Sequence, residues 1–279
     1  MSEGASPVRA SYPGNFAPRR GTVAQELRGV ARPLKKGDVP AMFHALAVVP
    51  PNLLNHYVRA GSRARFLCSC CGTRTHAFIH LSDYARVTWN AACPACDSRS
   101  RHRGLAVLLP RVLAERPDLH RTLHFAPEAV LARLLTSLEQ LGCETTDLED
   151  VGVDHPGEDI QKLSFADGSY DLVLCNHVLE HIRDDAAALE ELARVLSPPG
   201  LAVITVPCDW QAAETKTFRT VRPGGHYRHY GRDFADRLRQ VFGSVEVVDL
   251  HDLDAAPDGL SYGIRRREMV FLCHETQRR

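Results

Sequence analysis

The residues best equipped for chemistry fall into two groups. The first is a pair of Cys-x-x-Cys motifs, Cys68 with Cys71 and Cys93 with Cys96, separated by 21 residues. Each pair can grip one side of a tetrahedral ion, and thiolate ligands suit zinc. Four thiolates leave no open coordination position, so the motif predicts a structural rather than a catalytic Zn2+. Gly72 follows the first pair, where a residue without a side chain lets backbone amides turn toward sulfur. Cys70 is expected to be a spectator. The other four cysteines, Cys143, Cys175, Cys208 and Cys273, lie in apolar runs and read as small buried hydrophobes. The second group is histidine-rich: His177 and His181 in one segment, and His226, His229 and Tyr230 in another. Histidine is the side chain that exchanges a proton near neutral pH, so these are the candidate catalytic residues. For each single histidine the competing reading is a surface or structural hydrogen bond.

The elements that must hold these groups follow from hydrophobic spacing. From about Thr122 onward, short apolar runs alternate with helical patterns. Residues 122–126, 143–148, 170–176, 201–206, 245–250 and 268–273 predict strands. Residues 128–141, 184–196 and 232–242 predict helices. The run Tyr170-Asp-Leu-Val-Leu-Cys-Asn176 lacks polar alternation, as a strand buried on both faces should. This order predicts an α/β fold: a doubly wound, seven-stranded, mostly parallel sheet with helices on both faces. Ligands in such folds sit outside the carboxyl ends of the strands. That points to Phe125, Ala126, Pro127 and Glu128, to Asp147 and Leu148, and to Asn176 and His177. Asp147 lies 20 residues past Pro127, where a carboxylate can accept both hydrogens of a ribose diol. Asp159 can meet the amino group of an adenine, and Ile160 can stack on its ring. Alternatively, both acids only cap turns.

The run from Asp159 to His181, Asp-Ile-Gln-Lys-Leu-Ser-Phe-Ala-Asp-Gly-Ser-Tyr-Asp-Leu-Val-Leu-Cys-Asn-His-Val-Leu-Glu-His, resembles the class I methyltransferases that use S-adenosyl-L-methionine (SAM). Leu192-Ala-Arg-Val-Leu-Ser-Pro-Pro-Gly-Leu201 is similar to their following helix, turn and strand. The resemblance implies SAM as cofactor, spread over Phe125 to Glu128, Asp147, Asp159, Ile160, Asn176 and His177, with His181 nearby. It also implies a reversed hairpin of the last two strands. One departure stands out: Phe125-Ala-Pro-Glu128 occupies the place of the family's glycine-rich loop. Glu128 can recruit the ammonium of SAM. His226-x-Arg228-x-Tyr230 is similar to a His-x-Arg-x-Tyr pattern of related methyltransferases.

The organisation read from these signals is a disordered tail (1–21), a helical segment (22–60), a zinc ribbon (61–103) and a SAM-binding domain (104–279). Helices in the second segment are expected to break near Pro33, Pro40 and Pro50-Pro51. Ten residues between Leu148 and Asp159 are too few for a crossover helix. Gly224-Gly225 is a candidate hinge for a lid. No run of apolar residues is long enough for a membrane span, no secretory leader is visible, and a cytoplasmic location is expected. The reading that fits best is methyl transfer to an O or N atom of a small-molecule or sugar acceptor. Between Arg59 and Arg103 eight arginines face only Asp83 and Asp97, which means either an anionic partner or a solvated face. An RNA methyltransferase gripping nucleic acid through this basic ribbon is therefore a second reading. A SAM-fold protein without methyl-transfer activity is a third.

Overall fold

The structure is a computed structural model describing residues 30–31, 33–35, 38–58, 62–83, 86–149, 152–222 and 225–276. The tail expected over 1–21, and Gly224 of the candidate hinge, lie outside the described residues. Helix α1 (Val39–Leu53) starts where the Asp38 side chain accepts from the Ala41 amide at 3.0 Å. Pro40 occupies its first turn, where the missing N–H is no loss. The break expected at Pro50-Pro51 does not occur: α1 runs through both prolines and gives way to one wide turn over Leu54–Val58. The two prolines take the helical donors from the carbonyls of Leu46 and Ala47, yet the chain stays helical through both. Asn52, buried in that turn, exchanges two hydrogen bonds with the His80 backbone, tying the helix to the ribbon.

Two small antiparallel hairpins follow. β1 (Phe66–Leu67) pairs β2 (Arg74–Thr75), and β3 (Ile79–Asp83) pairs β4 (Arg86–Ala92). Helix α2 (Ser100–Glu115) then leads into the main sheet. Its strands are β5 (Arg121–Phe125), β6 (Gly142–Asp147), β7 (His155–Pro156), β8 (Tyr170–Asn176), β9 (Leu196–Thr205), β12 (Phe242–Asp249) and β13 (Met269–Thr276). Their spatial order is β12-β13-β9-β8-β5-β6-β7. All pairings are parallel except those of β13, which runs antiparallel to both neighbours. The expected seven-stranded sheet and its reversed last hairpin are both present. The remaining strands, β10 (Lys216–Arg222) and β11 (His226–His229), form a separate hairpin after β9.

The unbroken apolar run of β8 serves two cores. Val173 and Cys175 join Leu123, Phe125, α4 (Asp185–Val195) and α5 (Phe234–Arg239) on one face. Leu172 and Leu174 join α2 and α3 (Ala129–Thr136) on the other. Burying both faces removes any reason for polar alternation. Helix α3 is shorter than the pattern suggested, yet Leu138 and Leu141 still reach the core from the turn after it. Apolar spacing alone could not tell that turn from a helix. Among the described residues, the stretch between Leu148 and Asp159 holds no helix, as its length predicted. Because the chain runs outward from β5 through β6 to β7 and then returns to β8, the switch point lies between β5 and β8. A ligand cleft is expected above their carboxyl ends. Among the described residues, no helix is long and apolar enough to cross a membrane.

Candidate functional site

The loop after β5 is built around Glu128, the residue that precedes α3. Ala126 adopts a left-handed conformation (φ +45°), with its amide held by Thr146 O at 2.8 Å. Alanine here takes a turn usually left to glycine, at some cost in strain. The Glu128 carboxylate then receives three side chains. Arg101 pairs with one oxygen, while His102 Nε2 lies 2.8 Å from the other. Asn176 Nδ2 donates to that second oxygen, and Asn176 Oδ1 accepts from Thr205. His102 Nδ1 accepts from the Arg99 amide at 3.2 Å, so the ring proton of the neutral imidazole sits on Nε2, close to Glu128 but not aligned for a hydrogen bond. Burial pushes Glu128 up, but His102 and Arg101 outweigh it and hold the carboxyl at about 2. Glu128 is therefore a fixed anion at the switch point, joining β5, β8 and the start of α2.

Below this loop lies His124, fully buried in β5, with neither ring nitrogen partnered among the described residues. Burial drives its pKa down to about 4. The other proposed cofactor residues line the same edge. Asp147 ends β6, and its Oδ1 accepts from the Glu149 amide at 3.0 Å. A carboxylate has acceptor capacity beyond one such bond. Leu148 beside it is 64% exposed, whereas Ile160 is buried in the core against Phe125 and Leu163. The Asp159 carboxylate is held by Gln161, through its amide at 2.9 Å and its side chain at 3.0 Å.

Across the cleft from Glu128, the segment after β8 meets β11. His177 is left-handed (φ +55°), and its Nδ1 sits 3.3 Å from Glu180 Oε1. The His181 and His226 rings lie 4.9 Å apart, and His226 and His229 6.0 Å apart. Three candidate histidines, His177, His181 and His226, thus lie around the buried Glu180, with His229 beyond His226. Burial lowers His226, which favours the neutral, proton-accepting ring. Burial also pushes Glu180 up, but the His177 contact outweighs it and holds Glu180 below the usual carboxylate range.

Tyr230 is not brought to this cleft. It is fully buried, its hydroxyl donates to Asp185 Oδ2 at 2.9 Å, and burial raises its pKa. The reason lies in the spacing of His226, Arg228 and Tyr230. Positions two apart share one face of an extended chain, and this face packs on residues 179–185. The buried Arg228 guanidinium donates to the carbonyls of Ile182 and Arg183 at 2.7 Å and of Leu179 at 3.1 Å. It also sits 3.4 Å from Asp185 Oδ2, while Arg237 pairs with Asp185 Oδ1 at 2.8 Å. Arg228 and Tyr230 are a latch that sets His226 against His181. The equal spacing of the motif carried this signal; Asp185 had none in the sequence.

The four motif cysteines converge as the spacing required. Sγ atoms of Cys68 and Cys96, and of Cys71 and Cys93, are each 3.7 Å apart. A tetrahedral ion with bonds of about 2.3 Å separates its sulfurs by about 3.8 Å. The group is compatible with a zinc ribbon. Cys70 lies outside it and is buried, which raises its thiol pKa.

The basic stretch after the ribbon is largely spent inside the protein. Arg103, wholly buried, donates to Ser98 O at 2.6 Å on the ribbon side. It donates to Tyr262 O and Gly263 O at 2.7 Å on the sheet-domain side. Its guanidinium lies 4.0 Å over the Phe78 ring. Arg101, as described above, is committed to Glu128.

The family model of a methyltransferase domain matches residues 126–204, the stretch from the Glu128 loop to the end of β9. The strand order and the antiparallel β13 are those of the class I methyltransferase fold. A search of curated proteins returns no match. Among solved structures, the sheet domain is similar to CurJ carbon methyltransferase, at 13% identity and a TM-score of 0.44, over 63% of this chain and 54% of that one. It is similar to the 1,6-didemethyltoxoflavin-N1-methyltransferase of Burkholderia thailandensis, at 17% identity and a TM-score of 0.42, over 63% and 78%. It is also similar to phosphoethanolamine N-methyltransferase 2 of Haemonchus contortus, at 16% identity and a TM-score of 0.37, over 52% and 39%. The chain thus spans about half the length of the first of these proteins.

Proposed function

We propose that this protein transfers the methyl group of SAM to an O or N atom of a small-molecule or sugar acceptor, and that its four-cysteine group holds a structural zinc ion. The observation that carries the reading is that Glu128, Asp147 and Asn176 stand at the carboxyl ends of β5, β6 and β8, with Asn176 donating to Glu128. The donor set fits SAM. Asp147 suits the ribose diol, Asp159 and Leu148 the adenine, and the fixed Glu128 anion the ammonium of the methionine part. When bound, SAM supplies an electrophilic methyl carbon, and the protein's part is to align donor and acceptor in line and exclude water. His226, His177 or His229 would take the proton of a hydroxyl or ammonium acceptor. Tyr230 would act only through the latch.

The buried Arg103 and the paired Arg101 favour a small acceptor over RNA, because these cations hold the ribbon and the Glu128 loop instead of facing solvent. Zinc would fix the ribbon and add no chemistry. Free thiols fit a reducing, cytoplasmic location. The test is transfer of labelled methyl from SAM to pooled hydroxyl- and amine-bearing metabolites, with total RNA in parallel. Label in the small-molecule pool supports the reading, and label in RNA alone overturns it.

A further inference from the structure

Glu180, His181 and His226 each offer one ligand atom, and these atoms lie within 4.8 Å of one another. Glu180 is 1% exposed, and its Oε2 has no hydrogen-bond partner among the described residues. An ionised oxygen buried without a partner is costly, and it points to a missing cation or donor. The orientation of His181 sharpens this. Its Nδ1 lies 3.3 Å from Gly225 O. A carbonyl only accepts, so Nδ1 carries a ring proton, and in the neutral ring Nε2 presents a lone pair. That lone pair lies 3.9 Å from Glu180 Oε1, so two acceptors face each other with no proton between them.

The contact is built into the backbone. Gly225 has φ +84°, and a Cβ there would stand 2.9 Å from His181 Nδ1. A histidine whose far nitrogen donates to a backbone carbonyl is the usual arrangement of a metal-ligating imidazole. The latch formed by Arg228 and Tyr230 brings in the third ligand, His226, from a different element.

We infer that Glu180, His181 and His226 bind one divalent first-row transition-metal ion. Two imidazoles and one carboxylate suit Mn2+, Fe2+, Co2+ or Zn2+, and three protein ligands leave coordination positions open. Bonds of about 2.0–2.2 Å to N and O would draw the ligand atoms together by about 1 Å. The open positions take an oxygen-bearing ligand such as a hydroxyl or vicinal diol. That the ligand is the methyl acceptor rests on the proposed methyl transfer; metal binding does not.

The experiment titrates Mn2+ into the full chain, with the ribbon already carrying one zinc, and follows free Mn2+ by electron paramagnetic resonance. Mn2+ prefers oxygen and imidazole donors, so the thiolate ribbon does not compete. One saturable equivalent is expected. Glu180→Gln and His226→Gln should each weaken it by about tenfold or more, with ribbon zinc retained as the check on folding. His120→Gln, an exposed histidine elsewhere, should leave it unchanged. The inference is overturned if wild type shows no saturable Mn2+ binding, or if Glu180→Gln and His226→Gln both bind as wild type does. His181→Gln serves if either ligand variant loses its ribbon zinc. S-adenosylhomocysteine binding is read on the same samples: its absence with Mn2+ binding intact would remove the methyl-transfer reading and leave the metal site standing.

Discussion

Arg103→Met tests how the ribbon is joined to the sheet domain. The guanidinium donates at 2.6–2.7 Å to three carbonyls, those of Ser98, Tyr262 and Gly263, with a longer 3.4 Å contact to Ala91 O. Each buried acceptor left unpaired costs about 1–3 kcal/mol. Three acceptors sum to about 3–9 kcal/mol, but such losses are not additive. Desolvating the cation also costs energy in the wild type, and burial pulls the Arg103 pKa down. Methionine keeps some packing against Phe78. The net expectation is a loss of about 3–5 kcal/mol, the range for breaking a buried charged contact. Domain stabilities run to about 5–15 kcal/mol, so the variant should fold but be markedly weaker. Urea unfolding followed by circular dichroism measures the loss, and a chromophoric chelator measures zinc release. Arg103→Lys keeps the charge but not the fork, and should fall between. A loss under about 1 kcal/mol for Arg103→Met, or unchanged zinc release, would refute the role assigned to this residue.

Three further outcomes follow from the same geometry. His124 is held down to about 4 by burial, below its unfolded value of about 6.5. The neutral form is thus favoured in the folded state, so the stability it contributes is present above about pH 6.5 and lost as pH falls toward 4. Between pH 7.5 and 5 the wild type should lose about 2 kcal/mol more than His124→Leu in urea unfolding. Glu128→Gln leaves Arg101 without its carboxylate and removes the anion offered to SAM. Affinity for S-adenosylhomocysteine should fall by about tenfold or more, the value of one charged hydrogen bond, as read by calorimetry. Arg228→Met frees the carbonyls of Leu179, Ile182 and Arg183. It should cost about 2–4 kcal/mol in urea unfolding and lower kcat more than it weakens S-adenosylhomocysteine binding, because it moves His226 and not the Glu128 loop.

Much of the sheet was legible because periodicity reports burial. The apolar run of β8 required two covered faces, and Leu172, Val173, Leu174 and Cys175 fill both. Spacing also predicted the convergence of the four cysteines. Helix ends were less legible, because apolar residues such as Leu138 and Leu141 pack equally well from a turn. The pairs that set the site were not legible at all. Arg101 meets Glu128 from 27 residues away, and Tyr230 meets Asp185 from 45. Such pairs carry no local periodicity; only the fold brings them together. The loop after β5 shows the same limit. A sequence lacking the usual glycines gives no hint that Ala126 takes the left-handed turn in their place.

The central claim is that the edge formed by Glu128, Asp147 and Asn176 holds SAM. Titration of S-adenosylhomocysteine into the full chain by calorimetry tests it most directly. The account predicts saturable binding of one molecule per chain, weakened by about tenfold or more in Asp147→Asn through loss of charged hydrogen bonds to the ribose. Absence of saturable heat up to about 1 mM ligand, or an Asp147→Asn variant that binds as tightly as wild type, would contradict it.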